Sequence, residues 1–143
     1  MKKLILIALL FPFIAKAQFT IVNTSTTSLV EVRSGTWPLN LQRIIKESDT
    51  AYVLEFRDQG YTNDVVMTSL RFPNLEQVRY FQKGLTALRT GSNGDIAKFK
   101  DYSIKRVDVK REGVYYILNC SAGATTDFQQ PDADKLITAI QKL

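Results

Sequence analysis

Hydrophobic and polar positions follow two different rhythms along this chain, and each rhythm predicts an element. In residues 51–57, Tyr52, Leu54 and Phe56 fall on one face while Glu55 and Arg57 fall on the other. That period of two marks a half-buried strand. Residues 65–72 alternate in the same way, with Val66, Thr68, Leu70 and Phe72 against Val65, Met67, Ser69 and Arg71. A turn region over 58–64, with Gly60 and Asn63, separates the two and predicts an antiparallel pair. After Pro73 the rhythm changes. Leu75, Val78, Phe81, Leu85 and Leu88 recur at helical spacing up to Gly91. Asn74 is placed to cap that helix, with Gln77 three positions later as in a capping box. Gly91 can take the left-handed conformation that ends a helix. Gly84, inside it, costs roughly 1 kcal/mol against alanine and so points to close packing on a sheet.

Weaker signals fill in the rest. Residues 19–22 and 29–33 are β-branched and apolar around the polar run 23–28, and predict a hairpin. Residues 34–40, with Gly35, Trp37 and Pro38, read as a loop, and 41–47 as a further strand. Segments 96–100, 102–110 and 114–120 are extended, with a tight turn at Arg111-Glu112-Gly113. The alternation slips between Ile104 and Val107, which suggests a bulge or a strand drawn too long. Residues 121–130 are polar and read as a loop. A closing helix over 131–143 buries Leu136, Ile140 and Leu143. The expected fold class is therefore α+β: one mainly antiparallel sheet of about six to eight strands, with a central and a C-terminal helix packed on it. Both helices open with a proline followed by a capping residue, as PNLEQ and PDADK, which hints at two similar halves. Four strands then a helix, used twice, is the plan of some single-stranded nucleic-acid binding folds, and seven strands with a final helix that of pleckstrin-like modules. Both are likenesses of topology, and topology does not license function.

The N-terminus changes the charge picture. Lys2 and Lys3, an apolar run from Leu4 to Ile14, and the small-x-small triplet Ala15-Lys16-Ala17 make up the three parts of a secretory signal peptide. Residues 1–17 are expected to be removed between Ala17 and Gln18, leaving one domain over 18–143 in a periplasmic or extracellular space. The apolar run is too short for a membrane span, which needs about 20 residues, and Gln18 is not the cysteine a lipid anchor requires. Of 19 basic residues three leave with the signal; the remaining 16 face 14 acidic ones, so a formal +5 becomes +2. That weakens any attraction to polyanions through the overall field.

Cys120 is the only cysteine, so no disulfide can form within the chain. It reads as a buried, inert thiol, or else as a link between two chains. Histidine is absent, which excludes Ser-His and Cys-His nucleophile pairs and histidine-ligated metals.

The strongest local feature is residues 96–111, where Lys98, Lys100, Lys105, Arg106, Lys110 and Arg111 outnumber Asp101 and Asp108. Phe99, Tyr102, Tyr115 and Tyr116 lie close by. Aromatics between cations on a sheet can stack bases and neutralise phosphates, or hold an acidic polysaccharide. The same residues also describe a solvated outer face whose aromatics point inward. Trp37, the single tryptophan, reads either as an exposed contact for a partner or a sugar, or as a lid over the sheet. Asp58, Asn63 and Asp64 around Gly60 could offer oxygens to calcium, but their spacing matches no established loop and turn chemistry is the better account of them. Asp132 and Asp134 read as first-turn charges of the last helix. Ser34, Ser103 and Ser121 carry no catalytic signature, although a Ser-Lys dyad stays open. Asn23-Thr24-Ser25 and Asn119-Cys120-Ser121 match the glycosylation pattern.

These observations set out three expectations. The first is an exported, non-catalytic binding module without cofactor or metal, taking an unknown protein, polyanion or carbohydrate through Trp37 or a sheet face. The second is a polyanion or single-stranded nucleic-acid binder using Lys98, Phe99, Lys100, Tyr102, Lys105 and Arg106. The third is a small histidine-free hydrolase.

Overall fold

The computed structural model describes residues 23–143. The signal segment and the expected strand at 19–22 lie outside that range. Four strands come first, β1 (Thr24–Ser34), β2 (Trp37–Lys46), β3 (Asp49–Arg57) and β4 (Met67–Phe72), followed by helix α1 (Leu75–Arg89). The same order then repeats as β5 (Ile96–Lys98), β6 (Tyr102–Val109), β7 (Gly113–Cys120), β8 (Thr125–Gln129) and helix α2 (Gln130–Gln141). The α+β class is as expected, but the strands form two four-stranded antiparallel meanders, β1-β2-β3-β4 and β5-β6-β7-β8, instead of one sheet. Each chain reversal is short enough to pair neighbours, whereas α1 carries the chain away before β5 can join β4.

The polar run that looked like a hairpin link is the first half of β1. Thr24 to Ser28 pair with Lys46 to Gln42 although all five are exposed. Their polarity reflects solvent on both faces, not a turn. The expected loop over 34–40 shrinks to Gly35-Thr36, because Ser34 pairs directly with Trp37, and Gly35 supplies the positive φ of 60° that so tight a reversal needs. The loop expected over 121–130 contains β8, a strand whose only buried residues are Thr126 and Phe128.

No slip occurs in β6, whose pairing with β7 runs unbroken from Tyr102↔Cys120 to Val109↔Gly113. The register shift lies in β1, between Ser28 and Val30. What interrupts the alternation in β6 is Arg106, which shares the helix-facing row with Tyr102 and Ile104. Its guanidinium donates to the carbonyls of Leu88 (2.9 Å) and Arg89 (2.7 Å) in the last turn of α1, the first of which also accepts from the Gly91 N–H. Asp108 holds it from the other side, Nε to Oδ1 at 2.8 Å, and this bond raises the arginine's already high pKa further.

Helix α1 begins as its sequence predicts. The Asn74 carboxamide accepts from the Gln77 N–H at 3.0 Å, and Val78, Phe81, Leu85 and Leu88 are buried. Gly84 is required by proximity, since a Cβ there would stand 2.5 Å from Cζ of Phe99. Gly91 is needed for the same reason and not for a left-handed turn: its Cβ would meet the Asp95 carboxylate at 2.6 Å. Helix α2 starts one residue before Pro131, with Gln129 in the cap position making no side-chain capping bond. The parallel between PNLEQ and PDADK is therefore not one of capping. Asp132 pairs instead with Lys135 (3.1 Å) and Asp134 lies 3.4 Å from Arg89 of α1.

Each helix packs its buried stripe against strands of both sheets, α1 on β3 to β6 and α2 on β1, β7 and β8. Phe72 and Phe81 of the first half, with ring centroids 5.4 Å apart, each meet Tyr102 of the second at 6.0 Å, and Phe99 stacks on Tyr102 at 4.3 Å. One core thus spans both halves.

Candidate interaction surface

The basic segment is divided by the strands that carry it. Cross-strand partners share a face, so the pairs Ile96↔Lys105 and Lys98↔Ser103 put Lys98 and Lys105 on the outer face of the second sheet, opposite Ala97 and Ile104. Arg106 points the other way and is occupied by the end of α1. Lys100 stands in the β5–β6 turn, and Lys110 and Arg111 in the β6–β7 turn. The aromatics that were to interleave with these cations face inward. Phe99 and Tyr102 pack against α1, and Tyr116 is fully buried. Burial, with help from Asp101 and Cys120, pushes the Tyr102 phenol well above its usual range. Of the four aromatics only Tyr115 stays on the outer face, where its hydroxyl accepts from Gln129 at 2.8 Å. The structure thus brings together Lys98 and Lys105 alone of the six cations.

Trp37 lies at the start of β2, half-buried, and not in a loop. The guanidinium of Arg57, at the end of β3, sits 4.8 Å from its ring centroid. Arg57 in turn donates to the Tyr61 carbonyl at 3.4 Å and stands opposite Met67 across the β3–β4 pair. Tyr61 is 53% exposed, Val65 54% and Met67 44%. Beside them runs a cleft of about 480 Å³ between the β3–β4 connection and residues 122–124 of the β7–β8 turn.

Asp58 holds this surface in place. Its side chain is buried, and Oδ1 accepts both the Gly60 N–H (2.9 Å) and the Thr125 N–H (3.0 Å). Next to it the Gln59 N–H donates to the Thr125 carbonyl at 2.8 Å. Of the residues first considered for calcium, Asp58 is accounted for as a turn residue whose carboxylate ties the β3–β4 connection to β8, and Asn63 and Asp64 lie further along that connection. No group of three or more acidic or cysteine side chains is placed to hold a metal among the described residues. Ser34 bonds Thr126 Oγ1 (2.9 Å) and Gln59 (3.0 Å), not a lysine.

Cys120 is half-buried beside Tyr102, and burial followed by the nearby Asp58 charge raises its thiol pKa. Among the described residues no helix is long and apolar enough to cross a membrane.

Sequence reasoning picked out Trp37 but missed Arg57, Tyr61, Val65 and Met67. Arg57 and Met67 occupied the solvent positions of clean strands and Tyr61 a turn, so only the run Val65-Val66-Met67 after a polar turn could have signalled an exposed apolar patch. Compared with family models, curated proteins and solved structures, the chain shows no significant match to any of them.

Proposed function

We propose that this chain is an exported, non-catalytic binding module whose ligand is another protein, docked on the surface formed by Trp37, Arg57, Tyr61, Val65 and Met67. The observation that carries this reading is that the half-exposed Tyr61 and Met67 adjoin an arginine–tryptophan stack at one corner of the first sheet, with the exposed Val65 on the connection between them. Tyrosine, tryptophan, methionine and arginine are the residues enriched at the centres of protein interfaces, because they offer large contact area with few rotamers to order. The dispersal of the basic-aromatic segment favours this corner over the outer face of the second sheet.

The test is affinity capture of native partners by the exported protein. Replacing Tyr61 and Met67 together by serine is expected to abolish capture, while Lys98→Glu with Lys105→Glu leaves it intact. The reverse pattern would move the binding site to the second sheet and its ligand to a polyanion. Export itself is tested by N-terminal sequencing of the secreted product, which should begin at Gln18.

A further inference from the structure

We infer that the partner is engaged as an extended acidic segment that adds itself as a fifth strand along the free edge of β4. This rests on the docking surface proposed above and names the chemistry of its ligand. Among the described residues β4 pairs with β3 alone and ends its sheet, so every second N–H and C=O along Met67–Phe72 points away from the sheet. Such an edge is a ready template for an incoming strand, whose main-chain bonds supply affinity while alternate side chains supply selectivity.

The outer row along this edge selects for charge. Met67, Ser69 and Arg71 of β4 are exposed and alternate with the inward-facing Thr68, Leu70 and Phe72. Arg57 stands opposite Met67. Neither Arg57 nor Arg71 forms an ion pair among the described residues; Glu55, opposite Ser69 on the same face, accepts instead from Gln42 at 3.1 Å. Arg71, without a carboxylate partner, therefore stands on the edge itself, with Met67 at its start, while Arg57 lies one strand further in and reaches Trp37 of β2. A strand laid there places an acidic side chain beside Arg71 and an apolar one beside Met67. A second copy of this chain is the poorer fit, because pairing β4 with itself would bring each Arg71 onto the same face as its twin.

The probe is a fluorescein-labelled heptapeptide, Val-Thr-Glu-Thr-Glu-Thr-Val, titrated by anisotropy against the protein from Gln18 onward. It is expected to bind, with affinity falling as salt rises. Methylating one alternate set of its amide nitrogens should weaken binding roughly tenfold, and methylating the other set should leave it nearly unchanged, since only one edge of the peptide meets β4. Arg71→Glu should weaken it about fivefold and favour a peptide with lysine for glutamate, while Arg71→Lys binds close to wild type. Thermal melting confirms that the Arg71 variants fold. Strand addition is overturned if both methylated peptides bind alike, or if the peptide fails to bind while partner capture still depends on Tyr61 and Met67; in that second case the docking surface itself stands. Capture indifferent to Tyr61 and Met67 removes the surface and this inference with it. A dimer that dissolves on Arg71→Glu overturns the acidic partner in favour of a second copy.

Discussion

The two halves of the molecule share one element order but divide the physical work unequally. Eight buried core residues lie on the strands of the first half and only four on those of the second. In the middle of the first sheet Leu39, Leu41, Leu54, Phe56, Leu70 and Phe72 present an unbroken apolar surface. The inner face of the second sheet is interrupted by Arg106, which closes the end of α1, and by Thr126, which bonds Ser34 of β1. The first half contributes most of the apolar mass, whereas the inner face of the second sheet gives up apolar area to polar joints, which Ser34 and Asp58 complete from the first half. Repeated topology thus does not make the halves interchangeable, because a bonded polar group stabilises through direction and an apolar one through area.

Substitutions can break this contrast, the largest effect coming from the apolar side. Phe56→Ala removes a fully buried ring from the first sheet and should cost about 3–5 kcal/mol in denaturant unfolding. A loss below about 1 kcal/mol would show that the first sheet does not carry the core. Among the joints, Asp58→Ala strips the acceptor from the Gly60 and Thr125 N–H groups and should cost about 1–3 kcal/mol. Its signature is faster amide exchange at Thr125, in the half to which Asp58 does not belong. Gly84→Ala sharpens the packing side of the comparison. Alanine favours a helix by about 1 kcal/mol, but displacing Phe99 should cost about 1–3 kcal/mol, so a net loss is expected on melting. Tyr116→Phe tests the reverse case, since this fully buried hydroxyl has no hydrogen-bond partner. Its removal should be neutral or stabilise by up to about 1 kcal/mol.

The smallest effect is in alkali. Burial raises the pKa of Cys120 above its ordinary 9.0 and that of Tyr102 above 10.0, so the native state holds these protons more tightly than the unfolded chain. Stability from this source is complete below pH 9 and declines as pH rises beyond it. Cys120→Ser should flatten the first part of that decline, followed as melting temperature against pH. Alkylation of the native thiol at pH 8 should also be slower than that of an unstructured cysteine.

Reading the chain alone located β3, β4, β7 and α1 well, because each has one wet face and one dry face and its periodicity records the difference. Where both faces are wet, as in Thr24 to Ser28, or where only two residues turn inward, as in β8, the record is faint and the strand reads as a loop. Arg106 produced an apparent bulge for a related reason: a residue that faces inward to bond a helix end looks, in sequence, like one that faces out. The candidate site was legible only in Trp37. Its neighbours come from the end of β3, the following turn and the start of β4, and the Asp58 clamp that holds them is bonded to an amide 67 positions further on.

The sequence by itself determined the antiparallel α+β character, the capped central helix and the absence of histidine chemistry, since these depend on local spacing and residue type. Only the tertiary structure decided that the strands split into two sheets, that the basic run is dispersed, and that an arginine stacks on a tryptophan beside the exposed Tyr61 and Met67. Those outcomes depend on which strand edges pair and which faces meet, and such choices are settled by packing between residues far apart in the chain.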